Sequence, residues 1–314
     1  MSHIAVRIDV TDALPEDVSE GARVEIAAWL FPPDADRVPE RPSVIVLMNG
    51  GTYDKRYHHF DVPGRQNYSA AEALSARGHL VILPDHLGVG DSSRLPDQRK
   101  ATRYIAALAN HAAVTEIFRR LTDGSLDPSL PALPNFVKTG GGHSMGGSQS
   151  LAQQAAFETY DRLMVIGYSA IGVHIPSPDG PIPGELVPKR DEDYPFESHE
   201  AMSYNFHWED VPQDVREVDN ALAVPVPQLI SFAAIQPAMA LEDAGKVRVP
   251  VYICLGERDV SPRPHEEPGC YHSSKDVTLH ILPRSGHCQM FATTRMEMID
   301  RIDGWLRSLP APRG

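Results

Sequence analysis

A serine hydroxyl is a poor nucleophile until a base removes its proton during attack, so a reactive serine must stand clear of its neighbours and within reach of an imidazole. The stretch TGGGHSMGGSQS, residues 139–150, is built for the first requirement. Its centre, Gly142-His143-Ser144-Met145-Gly146, has the spacing G-x-S-x-G. At a sharp strand-to-helix turn the central serine takes a strained backbone conformation. Residues two before and two after must then be nearly free of side chains, or they collide across the turn. Gly140, Gly141, Gly142, Gly146 and Gly147 supply that freedom. A glycine-rich turn beside a serine is common, so its meaning depends on what the rest of the chain delivers to the same place.

The elements that would deliver it alternate between strand and helix. Residues 5–10 and 23–30 read as short antiparallel opening strands, followed by a loop rich in proline and aspartate over 32–42. The uninterrupted apolar run 44–48 is a strand buried on both faces, and it ends in the turn Asn49-Gly50-Gly51-Thr52. Helical spacing over 69–77 stops at Gly78, and the next buried strand, 79–83, runs into a glycine-punctuated turn over 84–92. Residues 98–121 have amphipathic spacing, with Ile105, Leu108, Ala112, Ile117 and Leu121 on one side. A strand over 136–139 leads into the serine turn, a helix over 145–160 leaves it, and 163–166 is another strand. Strands over 249–255 and 277–282 and an amphipathic helix over 290–309 close the chain. This alternation predicts an α/β fold with a mostly parallel sheet covered by helices on both faces.

Ligands of such sheets bind beyond the carboxyl ends of the strands, so every reactive residue should follow a strand. Ser144 does. After the strand over 249–255 comes Gly256-Glu257-Arg258-Asp259, and after the strand over 277–282 comes Pro283-Arg284-Ser285-Gly286-His287. His287 is the candidate base and later acid, and Asp259 would fix its tautomer and stabilise the imidazolium. Glu257 is the alternative acid, with Glu266 and Glu267 less well placed.

The order Ser, Asp, His, together with NGGT, DHLGVGDSS, GGHSMGG, GERD and SGH in sequence, resembles the α/β-hydrolase superfamily, in particular its esterase- and lipase-like serine hydrolases. The resemblance covers nearly the whole chain. It implies an oxyanion hole made of the Met145 backbone N–H and a second N–H from the turn at 49–52, which places it on Gly51. The superfamily commonly has His where Asn49 stands, which leaves Thr52 as the alternative donor. It also implies that residues 172–246, where the alternation fails, are a cap or lid inserted into a core of 1–171 and 247–314. That stretch is acidic: eleven acidic and three basic residues lie between Glu185 and Asp219. Tyr194, Phe196, Tyr204, Phe206 and Trp208 are interleaved, and they are expected to line a largely apolar pocket. The implied reaction is cleavage of a carboxylic ester, lactone or thioester through an acyl-enzyme. Acyl transfer, C–C bond hydrolysis or lyase chemistry with the same three residues, and a non-catalytic small-molecule receptor are the alternatives. A carboxylate nucleophile, as in haloalkane or epoxide hydrolysis, does not fit Ser144.

Composition bounds the partners. A net charge of −13 over 314 residues argues against nucleic acid and against strongly anionic substrates, and favours a neutral, partly apolar small molecule. Three scattered cysteines are too few for a disulfide framework, although one bridge is open. The first residues lack a basic segment followed by an apolar one, and no apolar run is long enough to span a bilayer. The expectation is a soluble, cytoplasmic protein with no cofactor and no metal. His58, His59 and Asp61 have no further ligands at a recognisable spacing, and His86 and His143 read as packing residues.

Overall fold

In the computed structural model, which describes residues 3–310 apart from 188, 190, 191 and 195–197, the apolar runs become strands whose successive side chains enter two different cores. The strands are β1 (Ile4–Asp9), β2 (Glu25–Phe31), β3 (Ser43–Met48), β4 (Leu80–Pro84), β5 (Val137–His143) and β6 (Arg162–Ile166). After a separate antiparallel pair, β7 (His174–Ile175) and β8 (Ile182–Pro183), come β9 (Val251–Gly256) and β10 (Val277–Leu282). The main sheet has the order β1-β2-β4-β3-β5-β6-β9-β10. Its β1–β2 and β2–β4 pairings are antiparallel and all others parallel, as the strand patterns predict.

The helices are α1 (Glu16–Ser19), α2 (Ala70–Ser75), α3 (Arg103–Asp123), α4 (Met145–Phe157), α5 (Ser203–Phe206), α6 (Gln213–Leu222), α7 (Gln228–Ala234), α8 (Pro237–Lys246) and α9 (Arg295–Ser308). Val44, Val46 and Met48 of β3 pack into one core with Ile117 of α3 and Leu151 of α4. Ile45 and Leu47, pointing the other way, pack with Leu74 of α2 and Ile299 and Ile302 of α9. Burial on both faces explains why this strand reads as an unbroken apolar run.

Helix starts differ from the periodicity for local reasons. The helix expected from 98 begins at Arg103. The Asp97 carboxylate accepts the Arg99 N–H and turns 98–100 into a tight 3-10 turn, and the Thr102 hydroxyl then caps α3 by accepting the Ile105 N–H. The helix expected from 290 begins at Arg295, because 289–291 forms its own 3-10 turn, the turn that carries Gln289.

Residues 172–246 contribute no strand to the main sheet among the described residues; they supply β7, β8 and the short helices α5 to α8. Phe196 lies outside the described residues. No helix among the described residues is long and apolar enough to cross a membrane.

Candidate active site

β5 ends at His143 and α4 begins at Met145, so Ser144 alone makes the turn. It does so at φ 53° and ψ −117°, in the left-handed half of backbone space that side chains disfavour. The flanking glycines are required by contact. A Cβ on Gly142 would stand 2.5 Å from the Gly146 carbonyl carbon, and one on Gly146 would stand 2.4 Å from the Met48 oxygen. Deleting those two side chains lets β3, β5 and the first turn of α4 close together beneath the serine.

His287 reaches the same point from β10. Its Nε2 lies 2.9 Å from Ser144 Oγ, and its Nδ1 lies 2.7 Å from Asp259 Oδ1. With Nδ1–H donating to the carboxylate, Nε2 is left to accept the serine proton. The Asp259 carboxylate is fixed by further donors: the Val260 N–H to Oδ1, and the Gly256 N–H and Gln289 Nε2 to Oδ2, each at 2.7 Å. His287 is fixed through its backbone. The His287 N–H donates to the Asn205 carbonyl at 2.8 Å, and His143 Nε2–H donates to the His287 carbonyl at 2.8 Å. Burial holds the His143 imidazole well below its ordinary pKa, so it is neutral and keeps that donor role.

The turn after β3 stands opposite. A Cβ placed on Gly51 would lie 3.9 Å from both Cβ and Sδ of Met145, so the two backbones face each other. Among the described residues neither the Gly51 N–H nor the Met145 N–H has a protein acceptor. The second of these is the first N–H of α4, where the helix dipole favours negative charge.

The structure thus brings together a serine at a strand-to-helix turn, an imidazole bonded to it and a buried carboxylate behind the imidazole. A family model described as the alpha/beta hydrolase family matches residues 45–297, which spans all of them. The chain belongs to the alpha/beta hydrolase family. Solved structures agree on the fold. A thermophilic esterase from Thermogutta terrifontis superposes with a TM-score of 0.63 at 16% identity, covering 96% of this chain and 98% of that one. A soluble variant of monoglyceride lipase from Saccharomyces cerevisiae gives 0.65 at 14% identity, covering 92% and 93%. An N-acyl homoserine lactonase gives 0.63 at 13%, covering 99% and 100%. No curated protein matches the chain significantly.

In this alpha/beta hydrolase the serine opens on a cavity of about 160 Å³. Met145, Gly51 and His287 line it from the sheet side; Met202, Phe206 and Ile235 are among the residues that line it from the insertion. Among the described residues, the only ionisable groups that line it are His287, His143 and the Tyr53 phenol. A larger open groove of about 450 Å³ between β10 and α9 contains none of the five residues singled out above.

The aromatic residues of the insertion behave differently from the expectation. Phe206 lines the cavity, whereas Tyr204 and Trp208 stack on the Arg258 guanidinium and Tyr194 on that of Arg94. The cation–π contacts spend Tyr204 and Trp208 on holding the insertion to the loop after β9, and Tyr194 on holding it to the segment after β4. Among the alternative acids, Glu257 is exposed and accepts the Arg284 N–H, and Glu267 is buried between the hydroxyls of Ser169 and Ser261. Neither bonds His287. All three cysteines are free and buried. His58 and His86 are buried with Nε2 on the carbonyls of Met48 and Asn49, and burial lowers both to about 4. Gln289 was not legible as a site residue, although it stands only two positions after the base.

Proposed function

We propose that this protein is a serine hydrolase that cleaves the carboxylic ester, lactone or thioester bond of a small, uncharged substrate through an acyl-enzyme. Ser144 Oγ attacks the carbonyl carbon while His287 Nε2 takes its proton, and Asp259 holds the imidazole and stabilises its charged form. The negative charge that develops on the carbonyl oxygen is received by the N–H groups of Met145 and Gly51. His287 then protonates the leaving alcohol or thiol. A water, deprotonated in turn by His287, releases the acid and restores Ser144.

The observation that carries this reading is the unbroken chain Ser144–His287–Asp259 at 2.9 and 2.7 Å, ending beside two unpaired N–H groups. Residues 172–246 act as a cap over a core of 1–171 and 247–314. The cavity between them, about 160 Å³, is well below the volume of drug-sized pockets. That size and the scarcity of charge in its lining support a short acyl group. The free, buried cysteines support a reducing, cytoplasmic setting.

The test is a series of p-nitrophenyl esters with acyl chains from acetyl to palmitoyl, together with labelling by a fluorophosphonate. The expected result is turnover that peaks at short chains and a single adduct on Ser144. An adduct elsewhere, or undiminished turnover by Ser144→Ala, overturns the mechanism.

A further inference from the structure

A second carboxylate–imidazole–hydroxyl chain is buried in the molecule, and it ends one residue from Gly51. Asp219, in α6, is 0% exposed, and His199 and His207 beside it are 1% and 2% exposed. Asp219 Oδ1 accepts the Tyr53 hydroxyl at 2.7 Å and His199 Nδ1–H at 2.9 Å, and Oδ2 lies 2.9 Å from His207 Nε2. Burial pushes the Asp219 carboxyl up, but the two imidazoles outweigh it and hold the group below the usual carboxylate range. From His199 the chain continues outward: Nε2 lies 2.9 Å from Thr52 Oγ1.

Thr52 needs such an anchor. Its φ is +68°, a left-handed conformation that is a genuine outlier for a β-branched residue. It is held there from two sides, at Oγ1 by His199 and at its carbonyl by the Val224 N–H at 2.9 Å. Next to it, Tyr53 is tied to Asp219. All these anchors come from the insertion, and all converge on the turn whose other member is Gly51. The Gly51 N–H lies in the Gly50–Gly51 peptide, whose carbonyl accepts Asn49 Nδ2 at 3.3 Å. On the other side of Gly51 the Thr52 hydroxyl donates to the Gly51 carbonyl at 2.5 Å, so Thr52 fixes the Cα from which that N–H projects.

We propose that Asp219 and His199 are positioning residues for the reaction: through Thr52 they orient the Gly51 N–H toward the oxygen that becomes negative in the transition state. This rests on the reading of Ser144 as the nucleophile. An oxyanion donor must lie within about 2.7–3.1 Å of the developing charge, and a turn free to relax from the left-handed conformation misses that window. The loss falls on the transition state and spares ground-state binding.

The experiment compares Thr52→Val, which keeps the shape and removes the hydroxyl, with Thr52→Ser, which restores a hydroxyl, and with Asp219→Asn. Steady-state kinetics on p-nitrophenyl acetate should show kcat about tenfold lower in Thr52→Val and Asp219→Asn, with KM within about twofold. Thr52→Ser should recover most of the loss. Inhibition by a short alkylboronic acid, whose serine adduct is tetrahedral, should weaken in step with kcat. Unchanged kcat in Thr52→Val, or Thr52→Ser as impaired as Thr52→Val, overturns the proposal. Thr52 is only partly buried, so its variants answer the question if Asp219→Asn does not fold. Fluorophosphonate labelling of the unaltered protein separates the two levels. A labelled Ser144 with an indifferent Thr52 sinks this inference alone, whereas an unlabelled Ser144 sinks the reading beneath it.

Discussion

Two chains of the same three chemical groups run through this molecule. Asp259–His287–Ser144 spans 2.7 and 2.9 Å, and Asp219–His199–Thr52 spans 2.9 and 2.9 Å. Hydrogen-bond lengths therefore do not distinguish them. Their surroundings do. The first is assembled from the carboxyl ends of three strands of the sheet, and its hydroxyl stands at the start of α4 with two unpaired N–H groups beside it. The second joins Asp219 and His199 of the insertion to Thr52 in the turn after β3, whose hydroxyl already donates to the Gly51 carbonyl at 2.5 Å. A base behind an alcohol makes a nucleophile only when charge can be accommodated on the far side of the attacked atom. Where the alcohol's proton goes to a carbonyl instead, the imidazole donates to the alcohol oxygen and is an anchor, not a base.

This contrast can be broken at several points, in decreasing order of effect. Ser144→Ala should lower kcat on a short ester by about a millionfold while leaving the melting temperature near that of the unaltered protein. Asp259→Asn should cost about ten-thousandfold through loss of the correct His287 tautomer, against the roughly tenfold expected of Asp219→Asn; equal losses would erase the distinction between the chains. Gln289→Leu removes one of the donors to Asp259 Oδ2 and should cost about tenfold in kcat, between those limits or at the lower one, with KM little changed.

The smallest effects concern stability against pH. The folded-state pKa of Asp219 is depressed, so its contribution is complete above the ordinary carboxylate pKa near 4 and is lost as pH falls below it. His58 and His86, lowered to about 4 by burial, refuse protons that the unfolded chain takes up below its ordinary value of 6.5. Stability should therefore fall as pH drops from 6.5 toward 4, and fall further below 4 as Asp219 is protonated. Thermal melts across pH 3.5–8 should show His86→Gln flattening the upper window and Asp219→Asn flattening the lower one. A melting temperature independent of pH from 6.5 to 4 would contradict the burial of these imidazoles.

The two chains were unequally legible in the sequence. Ser144, Asp259 and His287 each follow an apolar strand, and parallel topology alone forces those ends to one edge of the sheet. Gly51 is reached only through the resemblance to the superfamily, which puts a donor in the turn after β3 and leaves Thr52 as the alternative. Nothing comparable flags Asp219, one of eleven acids between Glu185 and Asp219, because its partners His199 and Thr52 are brought to it by short helices without a shared periodicity. The same reason hid the fate of the aromatic residues. Tyr204 and Trp208 read as pocket lining, but Arg258, from a distant loop, claims both faces. Gln289 was hidden by chemistry rather than distance, since a glutamine after a histidine is ordinary on any surface turn. Helix boundaries near 98 and 290 failed where a short polar side chain or a 3-10 turn overrode the apolar period.

The hydrogen bonds from His287 and Cys288 to the carbonyls of Asn205 and Phe206 have a practical consequence. Gly286 lies so close to that pair that a Cβ on it would meet the Phe206 oxygen at 2.7 Å. The insertion and the base loop are therefore cut to each other's shape. A chimera that carries a relative's insertion on this core would inherit new substrate-facing side chains, and it would lose the two carbonyls that fix the base unless residues 205–206 were retained at the graft. Transplanting specificity between members of the family, in this molecule, means moving the insertion in two pieces around a short segment that stays behind.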